Sequence, residues 1–196
     1  MSRRCWSRPC GRSAGYFRPA LSGAAWRDGA LVPGDAEEVC RVSGLPGPAA
    51  QYVAYLYEHA VSPHLAARLE GPPITRERII EQFSQVAARF DYLVAEGCGG
   101  LFCPLNDGEK PLLLGDVAAM LGLPLVIVSP SGLGAINAAV LTAEYAAKLG
   151  LPVLAGVMNG FEAGNPLHED NRVQIERFTG LRTICVARDA RTIELP

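Results

Sequence analysis

Leu123-Pro-Leu-Val-Ile-Val-Ser129, the turn Ser131-Gly-Leu-Gly134, the alanine-rich segment Ala135–Leu149 and the run Leu151-Pro-Val-Leu-Ala-Gly-Val-Met158 decide the fold. Both apolar runs lack polar alternation, which marks strands buried on two faces. A helix between two such strands is a crossover connection, and crossovers join parallel strands. The pattern therefore predicts a strand–helix–strand unit of a parallel sheet.

The same grammar extends outward. Tyr92-Leu-Val-Ala95 reads as another buried strand, closed by Glu96-Gly-Cys-Gly-Gly100. Before it, Ile79, Ile80, Phe83, Val86, Ala87 and Phe90 recur at helical spacing, so Thr75–Phe90 is predicted as a helix with Thr75 as its cap. Tyr16–Ser22 reads as a strand whose end Pro19 marks, and Gln51–Tyr57 as an extended segment. Short helices are predicted at Gly34–Val42, Ser62–Leu69 and Asp116–Leu121, a polar helix at Asn165–Thr179, and a last strand at Arg182–Ala187. The class is α/β: a doubly wound, mostly parallel sheet with helices on both faces. Residues 1–14, with four arginines and no acid, stand apart from a single domain expected over 15–196. Such a start resembles an organelle transit peptide or a mis-started reading frame.

Composition excludes several function classes. With 49% hydrophobic and 19% charged residues, the 196-residue chain can bury a core. A net charge of −2 argues against nucleic acid or an anionic membrane as partner. No apolar run approaches the roughly 20 residues of a membrane span. Cys5, Cys10, Cys40, Cys98, Cys103 and Cys185 are scattered without a CxxC pair, which suits reduced thiols in a cytoplasm.

In open parallel sheets ligands gather at the carboxyl ends of strands. There the chain places Ser22-Gly23, Glu96 with its glycines, Ser129 to Gly134, and Asn159-Gly160. Each piece alone has a plainer reading. Glu96 could be an ion-pair carboxylate, the glycines and Asn159-Gly160 ordinary turns, and Asp35 a helix cap. His59 and His64 could line a pocket or serve the structure, and His168 lies in a charged, solvated stretch.

Together the pieces resemble one family. Glu96-Gly-Cys-Gly-Gly-Leu-Phe-Cys-Pro-Leu-Asn-Asp107 and Ser131-Gly-Leu-Gly-Ala-Ile-Asn-Ala-Ala-Val-Leu-Thr142 resemble signatures of the ATP-dependent dethiobiotin synthetases. Gly15-Tyr-Phe-Arg-Pro-Ala-Leu-Ser-Gly23 is similar to the family's Gly-Tyr-x-Lys-Pro-Val-x-Ser/Thr-Gly segment. Tyr57–Pro63 with His64 resembles its Pro-His segment, and Gly156-Val-Met-Asn159 its nucleotide-base loop.

The resemblance implies a P-loop NTPase-like fold and an ATP- and Mg2+-dependent cyclo-ligase of biotin biosynthesis, converting 7,8-diaminononanoate and CO2 to dethiobiotin. It implies Asp35 and Glu96 as Mg2+ ligands on the nucleotide side, hard oxygen donors of the kind that ion takes. It implies Arg18, in the place of the family's lysine, as the catalytic cation, and Ser22 as a diamine contact. Gly97, Cys98 and Gly99 would let backbone approach the nucleotide, and Asn159 with Gly160 would meet the adenine. Leu133, Gly134 and Asn137 would bind substrate at a helix start serving the neighbouring subunit, so a cytoplasmic homodimer is implied. No Gly-Lys-Thr or Gly-Lys-Ser occurs in the 196 residues, whereas the family opens on a strand and the loop Gly-x-x-x-x-x-Gly-Lys-Thr. After Val186 there is no base-binding turn. The reading thus expects a chain incomplete at its N-terminal side, apolar strands with unpaired edges, poor solubility and little ATP turnover. Two alternatives stay open: a non-catalytic binding or regulatory relative, and a cobyrinate-type ATP-dependent synthase.

Overall fold

The computed structural model describes residues 13–190. They form two compact units, divided after Val117. Most of the segment 1–14 lies outside the described residues, as do Cys5 and Cys10; Ala14 already stands in the first strand.

The first unit runs β1 (Ala14–Phe17), β2 (Leu21–Ser22), β3 (Ala25–Arg27), β4 (Ala30–Val32), α1 (Gly34–Ser43), a 3₁₀ turn (Ala49–Tyr52), β5 (Leu56–Tyr57), α2 (Pro63–Glu70), α3 (Arg76–Ala87) and β6 (Tyr92–Ala95). Helix α4 (Leu114–Met120) crosses the boundary. β1 pairs with β6 in parallel, from Ala14 opposite Tyr92 to Phe17 opposite Ala95. The predicted single strand Tyr16–Ser22 is two strands. Pro19 has no N–H for a ladder. At Arg18 the chain changes partner: its N–H donates to the Tyr52 carbonyl and its carbonyl accepts from Ala54. β2 then pairs in parallel with β5. The predicted extended segment Gln51–Tyr57 likewise opens within the 3₁₀ turn and extends only from Val53.

The sequence reading gave no element to Ala25–Val32, where β3 and β4 form an antiparallel hairpin. Its turn is Asp28-Gly29, both at positive φ (49° and 78°). That conformation matches the right-handed twist of paired strands, and Gly29 takes it without a Cβ penalty. α3 begins as predicted, with Thr75 Oγ1 accepting from the Arg78 N–H at 3.4 Å. Its buried face carries Ile79 and Val86. Phe83 meets Phe17 edge-on, ring centres 5.3 Å apart, so α3 closes over β1. Phe17, Tyr52, Ile79 and Leu105 are wholly buried at the centre of this unit.

The second unit contains β7 (Leu125–Pro130), α5 (Ala135–Lys148), β8 (Val153–Asn159), α6 (Pro166–Thr179) and β9 (Thr183–Val186). All strands are parallel, in the order β7-β8-β9. Two successive crossovers that advance in one direction with one hand put both helices on one face. α5 and α6 do pack together, over Ala135, Ala139, Met158, Phe161 and Ile175. Side chains alternate accordingly: Ile127 and Ser129 are buried, while Val126 and Val128 are 52% and 64% exposed. β7 is hydrogen-bonded only to β8, and β6 only to β1, among the described residues. No described helix is long and apolar enough to cross a membrane.

Candidate active site

The register of β1 and β6 builds the first half of the site. Phe17 lies opposite Ala95, and the Glu96 N–H donates to the Phe17 carbonyl at 2.9 Å. Glu96 thus leaves the sheet beside Arg18. The β3–β4 hairpin returns the chain to α1, whose N-cap is Pro33; Asp35 falls in its first turn. One guanidinium nitrogen of Arg18 donates to Asp35 Oδ2 at 2.8 Å and lies 3.3 Å from Glu96 Oε1. The Tyr16 hydroxyl donates to the other Glu96 oxygen, Oε2, at 2.5 Å. Arg18 is largely buried, at 12% side-chain exposure, whereas Asp35 and Glu96 open to solvent at 67% and 44%.

The electrostatics follow from this arrangement. Burial works against the Arg18 charge, but Glu96, Tyr16 and Asp35 outweigh it, and the guanidinium pKa is raised. The Tyr16 hydroxyl is pushed well above its ordinary range, first by burial and then by the Glu96 carboxylate. Arg18 Nε, Ser22 Oγ and His64 Nδ1 are buried without a partner. Buried polar groups are normally paired, so each of these atoms keeps a hydrogen bond to give or accept.

The loop after Glu96 is tightly fitted. A Cβ on Gly97 would stand 2.7 Å from Leu114 Cδ2. Gly99 takes φ +135°, a conformation that side chains disfavour. The Cys103 thiol points to the Cys98 carbonyl at 3.7 Å. Burial, with Cys103 nearby, pushes the Cys98 thiol up to about 12, which disfavours the thiolate a nucleophile needs. Cys40, Cys98, Cys103 and Cys185 are all unpaired thiols.

Among the described residues no three His, Cys, Asp or Glu side chains gather as a metal cage. Mg2+ does not require one. It is commonly bound through one or two carboxylates, with waters and substrate phosphates completing the octahedron. Asp35 Oδ2 and Glu96 Oε1 converge on one Arg18 nitrogen, so the donor set and its placement suit that ion.

The second unit holds the remaining predicted residues. The Ser131–Gly134 turn is pinned from both sides. Ser131 Oγ donates to the Asn159 carbonyl at 3.0 Å. Asn171 Nδ2 donates to the Ser131 and Gly132 carbonyls at 2.8 and 2.9 Å. Gly134, at φ +88°, caps the start of α5. Leu133 projects into solvent at 92% exposure, and Asn137 follows on the exposed side of α5. Asn159 and Gly160, the latter at φ +72°, end β8.

Of the residues singled out from the sequence, the structure brings Arg18, Asp35 and Glu96 together; Tyr16, Asn171 and the pinning role of Ser131 were not among the sequence expectations. Tyr16 had a signal: two residues before Arg18 on a strand, it must share that residue's face. His168, expected in a solvated stretch, is half-buried there. Its Nδ1 accepts from the Glu162 N–H at 3.0 Å, and its ring lies against Phe161. His59, by contrast, is tied to Glu70 through both its backbone and its ring.

A family model described as an AAA domain matches residues 4–189. A Clostridium perfringens protein named ATP-dependent dethiobiotin synthetase BioD is 40% identical over 184 residues, covering 94% of this chain and 81% of that protein. A Clostridium botulinum (strain Alaska E43) protein of the same name is 35% identical over the same shares of both chains. With the strand-end carboxylates, the glycine loop after β6 and the pinned turn after β7 in place, the chain belongs to the ATP-dependent dethiobiotin synthetases.

Proposed function

We propose that this chain makes dethiobiotin from 7,8-diaminononanoate, CO2 and ATP. One substrate amine adds to CO2 and loses a proton, giving a carbamate. A carbamate oxygen attacks the γ-phosphorus of ATP and releases ADP, leaving a carbamic–phosphoric anhydride. The second amine then attacks the carbamoyl carbon, closes the ureido ring and expels phosphate. Arg18 supplies positive charge to the phosphoryl group in flight. Ser22, with a buried hydroxyl that has no partner, hydrogen-bonds the diamine. Asp35 and Glu96 would hold Mg2+, which when bound neutralises charge on the nucleotide phosphates. Backbone at Gly97, Cys98 and Gly99 faces the nucleotide, and Asn159 with Gly160 faces the adenine. Leu133, Gly134 and Asn137 receive the carboxylate tail of substrate bound by a second copy. The exposed Leu133, just before α5, and Leu141, on it, favour such a homodimer, for which the reduced thiols suit a cytoplasm.

The observation that carries the reading is the single Arg18 nitrogen shared by Asp35 and Glu96. Release of labelled phosphate tests it, with diaminononanoate, bicarbonate and Mg-ATP each omitted in turn. Phosphate release should require all of them. Because the 196 residues contain no Gly-Lys-Thr or Gly-Lys-Ser, turnover should fall well below about 1 s⁻¹, the low end for enzymes. The same missing motif favours a second reading, a substrate-binding module without catalysis. Calorimetry separates the two, since the module binds the diamino acid without nucleotide. Failure of diaminononanoate both to bind and to stimulate phosphate release rejects both readings.

A further inference from the structure

We infer that Tyr16 is a positioning residue that sets which oxygen of Glu96 faces Asp35. The inference rests on the reading of Asp35 and Glu96 as the magnesium-binding pair. Glu96 Oε2 is committed to the Tyr16 hydroxyl at 2.5 Å, which leaves Oε1 on the side of Arg18 and Asp35. The tyrosine is a rigid post. The residue is only 4% exposed, and its backbone is fixed opposite Val94 in the β1–β6 ladder. Strand alternation puts Tyr16 and Arg18 on one face, so the two residues grip Glu96 from two sides, one at each oxygen. Without the hydroxyl, Oε2 loses the hydrogen bond that holds it. A guanidinium pairs readily with both oxygens of a carboxylate, and the Arg18 fork would then be free to take Glu96 in that way. Glu96 would be turned toward Arg18 and away from a cation shared with Asp35. Tyr16 thus keeps one carboxylate oxygen available that the arginine beside it would otherwise capture.

The test uses Tyr16→Phe in the full chain, with Mn2+ as the probe, free ion being counted by electron paramagnetic resonance with and without ATP. Loss of a hydrogen-bond partner behind a metal ligand typically weakens affinity on the order of 10-fold, and that loss is expected here with little change in Tm. In the Glu96→Gln background the same substitution should change Mn2+ affinity no further. A fall in Tm with unaltered Mn2+ affinity would reduce Tyr16 to a packing residue and overturn the inference. If Asp35→Asn and Glu96→Gln themselves leave Mn2+ affinity unchanged, the carboxylate reading fails first, and the inference with it. Should Tyr16→Phe not fold, tyrosine-ring ¹³C NMR of the unsubstituted chain replaces it. The tyrosine signal displaced by Glu96→Gln must then move on Mg2+ addition with the midpoint of metal binding, and a stationary signal overturns the inference.

Discussion

The loops that follow β6 and β7 sit at equivalent places, each between a parallel strand and the helix after it, yet opposite forces hold them. After β6 the fixed points are charges. Arg18 draws in Asp35 and Glu96, both of which face solvent. After β7 the fixed points are neutral and buried. Asn171, 4% exposed, spends both amide hydrogens on the carbonyls of Ser131 and Gly132. Ion pairs whose carboxylates reach solvent are screened and adjust easily, whereas buried amide bonds are costly to leave unmade. The first loop suits groups that must exchange partners when a charged ligand arrives. The second suits a helix start that must not move.

That contrast can be broken by experiment. Asn171→Ala should cost about 2–3 kcal/mol in a urea melt, because two buried carbonyls lose their donor. A loss below about 0.5 kcal/mol would show that the second loop is not held by its amide. Acid should weaken both units through one carboxylate each. Glu176 has its pKa lowered chiefly by the Thr183 hydroxyl. For Glu70 burial works the other way, but the His59 and Glu58 N–H groups and the His59 ring prevail, and its pKa is lowered too. Their contributions are whole above the unfolded value of about 4.3 and disappear as pH falls through the folded values. Stability measured from pH 6 to 2 should therefore decline less steeply in Glu176→Gln and Glu70→Gln. Asp35→Asn should change stability by less than about 0.5 kcal/mol, given its exposure, while reducing Mg2+-dependent phosphate release. Val126→Lys with Val128→Lys should leave the melt nearly unchanged, since both side chains face outward. The pair should lower light scattering by the chain, because an apolar strand with an unpaired edge invites association.

How much of this was legible in the sequence depended on range. The β6 strand, the Thr75 cap and the α5 helix announced themselves through contiguous apolar runs and local spacing, which need no partner to interpret. The break at Pro19 was half visible: the proline marked an end, but only the switch from β6 to β5 explains why β2 begins again beyond it. The Asp28-Gly29 hairpin carried a strong turn signal and was passed over, because strands of three largely exposed residues show no hydrophobic alternation. Within the candidate site, Arg18, Asp35 and Glu96 came from motif resemblance. The Tyr16–Glu96 bond spans 80 residues and the Asn171–Ser131 bond 40. Such pairs follow from strand register and helix packing, which no local window contains.

The fit of Gly97 against Leu114 ties the chemistry to a residue with no chemical function. The peptide that follows Glu96 rests on an apolar branch supplied by the first residue of α4. A methyl added at Gly97 must displace the Leu114 branch or the peptide beside Glu96, so α4 acts as a backstop to the loop that carries the acid. Inherited changes at Leu114 and at the glycine are therefore expected to come in matched pairs, each tolerable only once the other has made room.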